Sequence, residues 1–165
     1  MSMVWIASAT ASGSTSSVEF TSIPQTFTHL QIRVFAKTAG TGAFDSIAMN
    51  INGASGEARH DLYGTGASVG SSVAGTSFYI YVGGSAQFGV GIIDILDYTN
   101  TNKTKVSKSI CGVDNNGSGL VALTSGLELS TTAISSLTFV ATVPNLAANS
   151  RFDLYGITTS SVTGA

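Results

Sequence analysis

From Val4 to Ile157 apolar residues alternate with Ser, Thr, Gln or Lys in short runs, and Gly, Ser and Asn clusters break those runs about every ten residues. A period of two sends successive side chains to opposite faces of an extended strand, whereas a helix needs a period of 3.6. No window sustains the longer period with helix caps, so the predicted helix content is at most a single turn. Many short alternating runs joined by turns specify an all-β chain, an antiparallel sandwich or barrel.

The clearest predicted strand is His29 to Lys37. Leu30, Ile32, Val34 and Ala36 share one face, and His29, Gln31, Arg33, Phe35 and Lys37 share the other. Before it come Val4 to Ala9 and Ser17 to Thr21, with Pro24 breaking the ladder because it has no N–H to donate. Asp45 to Ile51 repeats the pattern, and Asn52-Gly53 predicts a hairpin turn into Glu57 to Tyr63. Gly64 to Gly75 reads as a Gly/Ser/Ala loop, expected to be flexible or to contact a partner. Ser77 to Val82 sends Phe78, Ile80 and Val82 one way and Tyr79 and Tyr81 the other.

Phe88 to Tyr98 is the most hydrophobic run, and its Ile92-Ile93 and Ile95-Leu96 pairs put apolar groups on both faces. That pattern suits a central strand or a seam between subunits. Lys105 to Val113, Leu120 to Ser130, Ile134 to Val143 and Arg151 to Ile157 bring the expected total to about ten or eleven strands. A chain of 165 residues is one domain long. Residues 1–165 are therefore read as a single β domain with a small, polar, loosely held tail from about Thr158.

Charged residues make up 10% of the chain and hydrophobic ones 43%, where about 25% charged is usual for a soluble domain. So few charges imply a surface partly covered by copies of the chain or by another partner. A formal net charge of -2 with scattered Lys and Arg gives no basic stripe for nucleic acid. Lys103, Lys105 and Lys108 are the exception, read as solvent-facing residues of one strand or as a contact for phosphate or an acidic surface. Cys111 is the only cysteine, so no intramolecular disulfide forms, and its place in Ser109-Ile110-Cys111-Gly112 reads as a small hydrophobe at a strand end. Neither a signal-peptide pattern nor an apolar run of ~18 residues is present, so synthesis inside the cell and no membrane insertion are expected.

Chemistry-bearing residues are sparse. His29 and His60 lie in alternating strands with no nucleophile elbow beside them, which argues against Ser or Cys nucleophilic catalysis. Asp94 and Asp97 sit three apart in a strand, hence on opposite faces. Asp114-Asn115-Asn116-Gly117-Ser118-Gly119 matches the opening of a calcium loop, but Ser125 stands where a bidentate Glu belongs. The other reading is an Asx-rich turn between strands. One Cys and two distant His give no zinc set. No cofactor, metal or catalytic residue is expected. Tyr79, Tyr81 and Phe35 could line an outward aromatic row able to stack on sugars, or form cross-strand and subunit contacts. Asp61-Leu62-Tyr63-Gly64 recurs as Asp153-Leu154-Tyr155-Gly156, a strand-ending echo too short to establish a repeat.

Several stretches carry a likeness. They are Ile6-Ala7-Ser8, the run Val18 to Arg33, Leu62-Tyr63-Gly64-Thr65-Gly66, Ile95 to Lys103, Ala133-Ile134-Ser135-Ser136-Leu137 and Arg151 to Ile157. Together they make the chain resemble a group of tailed-bacteriophage virion surface proteins. The resemblance implies a jelly-roll-like β-sandwich that decorates the capsid as a cement protein or ends a tail fibre, commonly as a homotrimer. It transfers no functional residues. A fibre module would be expected after a long shaft, while here the first strand starts at Val4, so a decoration protein bound to the major capsid protein fits better. The tail-fibre or tail-tip module that binds a receptor or glycan is the alternative. Either way the protein is expected in the virion, non-enzymatic, and made in the host cytoplasm.

Overall fold

The computed structural model describes residues 2–55, 58–75, 77–84 and 87–159. Among the described residues there are twelve strands and no helix. The first six are β1 (Ser2–Thr10), β2 (Ser17–Phe20), β3 (His29–Ala36), β4 (Phe44–Ile51), β5 (Ala58–Gly64) and β6 (Val69–Ala74). The remaining six are β7 (Phe78–Gly83), β8 (Gly89–Ile95), β9 (Lys105–Asp114), β10 (Gly119–Glu128), β11 (Leu137–Ala141) and β12 (Arg151–Thr158). Every pairing between named strands is antiparallel.

An eight-stranded sheet, ordered β1-β12-β3-β8-β9-β10-β5-β6, packs against a four-stranded one, β2-β11-β4-β7. The antiparallel β-sandwich expected from the alternation is what forms. If β5, β6, β9 and β10 are set aside, β1-β12-β3-β8 faces β2-β11-β4-β7, and the steps β1 to β2, β3 to β4, β7 to β8 and β11 to β12 each cross between sheets. The two remaining pairs, β5–β6 and β9–β10, are hairpins that join through β10 and β5 and double the width of the large sheet.

The core lies between the inward faces. Leu30, Ile32, Ile93, Ile95 and Leu154 from the large sheet meet Ile47, Met49, Phe78, Ile80 and Phe139 from the small one, all buried. Burying each side chain of this size contributes roughly 2 kcal/mol. Phe139 stacks on Phe152 across the sheets at 4.9 Å and meets Phe20 edge-on at 6.3 Å. Gly91 leaves room for the facing layer, since a Cβ there would lie 2.3 Å from Ile80 Cδ1.

Four expectations change. The segment 64–75 holds a strand, β6, paired along β5, and only Thr65 to Ser68 turns, closed by the Thr65 N–H donating to the Ser68 carbonyl at 2.9 Å. Its Val69, Ser71 and Val73 alternate after all, but Gly and Ser between them hide the pattern. Asn52-Gly53 is a tight turn with both residues at positive φ (51° and 79°). It does not build a hairpin, because β4 and β5 belong to different sheets. Lys103, Lys105 and Lys108 do not share a solvent face. Residues three apart in a strand point opposite ways, so Lys108 is exposed while Lys105 is buried with its ammonium donating to the carbonyls of Asn100, Lys103 (3.0 Å) and Thr131 (3.1 Å). Cys111 sits inside β9, not at its end. Of the tail, Thr158 closes β12 opposite Ser2, and residues 160–165 lie outside the described residues.

Candidate interaction surface

Register aligns residues from six strands into rows across the outward face of the large sheet. One row runs Phe35, Val90, Gly112, Val121, Gly64, Val69, from β3 through β8, β9, β10 and β5 to β6. The next runs Arg33, Ile92, Ile110, Leu123, Leu62, Ser71. A third, Gln31, Asp94, Lys108, Ser125, His60, Val73, is polar except at its end. Ile110, Val121 and Leu62 are 56%, 62% and 60% exposed. The strand that the sequence gives two apolar faces, β8, is central in the large sheet. Ile93 enters the core, while Ile92 and Val90 stand in the open on the other side.

Two of the rows are not flat. Gly112 and Gly64 flank Val121 and leave hollows, and an open groove of about 500 Å³ runs over Arg33, Val90, Ile92, Ile110 and Gly112. A Cβ at Gly112 would meet nothing nearer than 3.6 Å and one at Gly64 nothing nearer than 4.0 Å, and neither residue has a left-handed φ. Neither the backbone nor internal packing demands glycine at these positions. A glycine inside a strand weakens it, and strand glycines are found at bulges, at tight bends and where another group approaches closely.

The three aromatic residues read as one row are not together. Phe35 is on the large sheet's outward face, stacked on Phe88 at 4.6 Å, with Lys37 Nζ 5.5 Å from the Phe88 ring. Tyr79 and Tyr81 belong to β7, the edge of the small sheet, and both are held from within. The Arg59 guanidinium lies 4.1 Å over the Tyr79 ring, and the Tyr81 hydroxyl donates to Asp61 Oδ2 at 3.3 Å. Asp61 is buried and also accepts from Arg59 (2.7 Å), Ser72 (2.8 Å) and Thr124 (2.8 Å). Burial alone would push its carboxyl up, but the Arg59, Ser72 and Thr124 hydrogen bonds outweigh that and hold it below the usual carboxylate range. Burial and the neighbouring Asp61 push the Tyr81 phenol up to about 12. The cluster closes the inner face where the large sheet overhangs the small one.

The other candidates are also occupied by structure. His29 Nδ1 accepts the Asp97 N–H at 2.9 Å, and His60 is exposed on β5, so the two histidines share no site. Asp94 faces outward, accepting from Gln31 at 2.9 Å, with Lys108 Nζ 3.8 Å away. Asp97 lies past the end of β8 at φ 49°, and the hydrogen bond from Lys103 holds its carboxyl below the usual range. Asp114 to Gly119 form the β9–β10 turn: Asp114 Oδ1 accepts the Asn116 N–H at 2.8 Å, and Asn116 and Gly117 have φ of 56° and 107°. Cys111 faces inward, and burial pushes its thiol up to about 11, away from reactivity. Among the described residues no three His, Cys, Asp or Glu side chains gather as a metal set, and no helix is long and apolar enough to cross a membrane.

Comparison with protein-family models, with curated proteins and with solved structures finds no match.

Proposed function

We propose that this chain is a non-enzymatic bacteriophage virion protein that decorates the outside of the head, a jelly-roll-like sandwich widened by two inserted hairpins. The interleaving of β1-β12-β3-β8 with β2-β11-β4-β7 supports the jelly-roll reading, since wrapped Greek keys produce that order. The observation that carries the functional reading is the uncovered apolar centre of the large sheet, where Ile92, Ile110, Leu123 and Leu62 lie side by side in solvent. Contiguous patches of this kind are kept by proteins whose surface is covered in an assembly. Neighbouring copies, in the homotrimer that the resemblance implies, and the major capsid protein are the partners that a head protein would meet.

A protein that binds only the assembled shell stabilises it by its binding free energy, repeated over many copies. Localisation on purified particles tests this. Density over the head, together with earlier heat release of the genome from particles lacking the protein, is expected, and density only at the tail tip would contradict it. One observation favours the alternative, a tail module that binds a receptor or glycan. The Phe35–Phe88 stack is a partly open aromatic platform beside a polar turn. That alternative requires measurable cell or glycan binding that Phe35→Ala abolishes.

A further inference from the structure

We infer that the outward face of the large sheet pairs with the same face of a second copy of this chain, about a two-fold axis lying between β9 and β10 and running nearly along the strands. Such an axis keeps each row opposite itself but reverses its order. It sets Gly112 of one copy opposite Val121 of the other, and Val90 opposite Gly64, so valines enter the hollows that the glycines leave. In the second row it sets Ile110 opposite Leu123 and Ile92 opposite Leu62. In the third row it sets the Asp94 carboxylate opposite the exposed His60 ring, and Lys108 opposite the Ser125 hydroxyl. An isologous contact requires a surface complementary to itself in this way.

The alternation of knob and hollow explains the two glycines that neither backbone nor core requires. Moving the axis by half a strand spacing, on to β9, would put hollow against hollow at Gly112 and knob against knob at Val90 and Val121. Size agrees as well. Six strands by three rows span roughly 29 by 20 Å, and with corrugation counted this approaches the ~800 Å² that each partner of a standard interface contributes. Aligned sheets packing about 10 Å apart are an ordinary sandwich contact. The pairing concerns the isolated chain and stands whether or not it sits on a virion.

Sedimentation equilibrium of the purified protein, without particles, tests it. The wild type is expected to form two-copy units, dimers of the single chain or, with the homotrimer, paired trimers. Gly112→Val fills the hollow, so it should weaken pairing at least tenfold, with the melting temperature of the dissociated protein reporting whether its own fold is kept. Gly64→Val should act likewise if Gly112→Val folds poorly. His60→Glu should weaken pairing by facing Asp94, and adding Asp94→Lys should restore it. A wild type that remains a single copy up to about 100 μM, weaker than any standard interface, overturns the inference. So does an assembly that only multiplies by three and is indifferent to Gly112→Val and His60→Glu. Failure here leaves the localisation on particles as a separate outcome.

Discussion

On the small sheet the outward rows are Glu19, Thr138 and Asn50, then Ser17, Val140, Ala48 and Tyr79: polar or small, with Val140 half-buried. On the large sheet the outward rows centre on Val90, Ile92, Ile110, Val121 and Leu123. Among the described residues every large hydrophobic side chain left exposed belongs to a strand of the large sheet or to the residue just past one, and none belongs to the small sheet. Both sheets obey the same alternation toward the core. Their outer faces differ in polarity, which an inside-outside pattern alone does not distinguish, and on the proposed reading the apolar one lies under a cover.

The largest effect expected from breaking this contrast falls on the duplicated tetrapeptide. Asp61 faces inward and is buried beside Arg59, whereas Asp153 faces outward, beside Arg151 at 3.0 Å. Removing one partner of a buried pair strands the other, so Asp61→Ala should destabilise by about 4 kcal/mol, against about 2 kcal/mol for Asp153→Ala, whose side chain is 13% exposed and whose partner Arg151 stays in solvent, in denaturant titrations. Close behind comes the pair of neighbours on β8. Ile93→Ala should cost about 3 kcal/mol by leaving a cavity. Ile92→Ala should cost under about 1 kcal/mol in the dissociated chain, because its side chain there gives up only partial burial.

A smaller effect is expected from pH. Burial pushes the folded Cys111 thiol up to about 11 from an ordinary value of 9.0. With the folded value raised, its contribution is complete below pH 9 and is lost as pH rises through 11. Stability should therefore fall by roughly 2–3 kcal/mol over that window, and Cys111→Ala should flatten the slope in urea titrations at a series of pH values. The smallest effect has the opposite sign. Gly112→Ala should stabilise the dissociated chain by about 0.5 kcal/mol, since the new methyl group has room and the unfolded state loses freedom.

The echo also shows what the sequence could reveal. Leu62 and Leu154 occupy the same position in identical tetrapeptides, yet Leu62 is 60% exposed and Leu154 is in the core. Local periodicity says that Leu points away from Asp and Tyr in both. It does not say which face is the inside, which is set by the sheet that the strand joins. The strands themselves were legible because each alternates over its own length, and β6 escaped because Gly and Ser obscured its period. The doubled Ile92-Ile93 pair announced a strand with two apolar faces. The rows that make the surface were not legible, because register joins Leu62 to Leu123 and Arg33 to Ile92 across four intervening strands in each case. The hollows at Gly112 and Gly64 appear only once their neighbours in the row are known. Lys105 was misplaced for a simpler reason, a spacing of three read as if it were two.

The contrast between the two outward faces can be tested in the assembled protein by thiol labelling of Leu123→Cys on the large sheet and Thr138→Cys on the small one. The account predicts that Leu123→Cys reacts at least tenfold more slowly in the assembly and catches up when the assembly is dissociated by dilution. Equal rates at both positions in the assembly would contradict it.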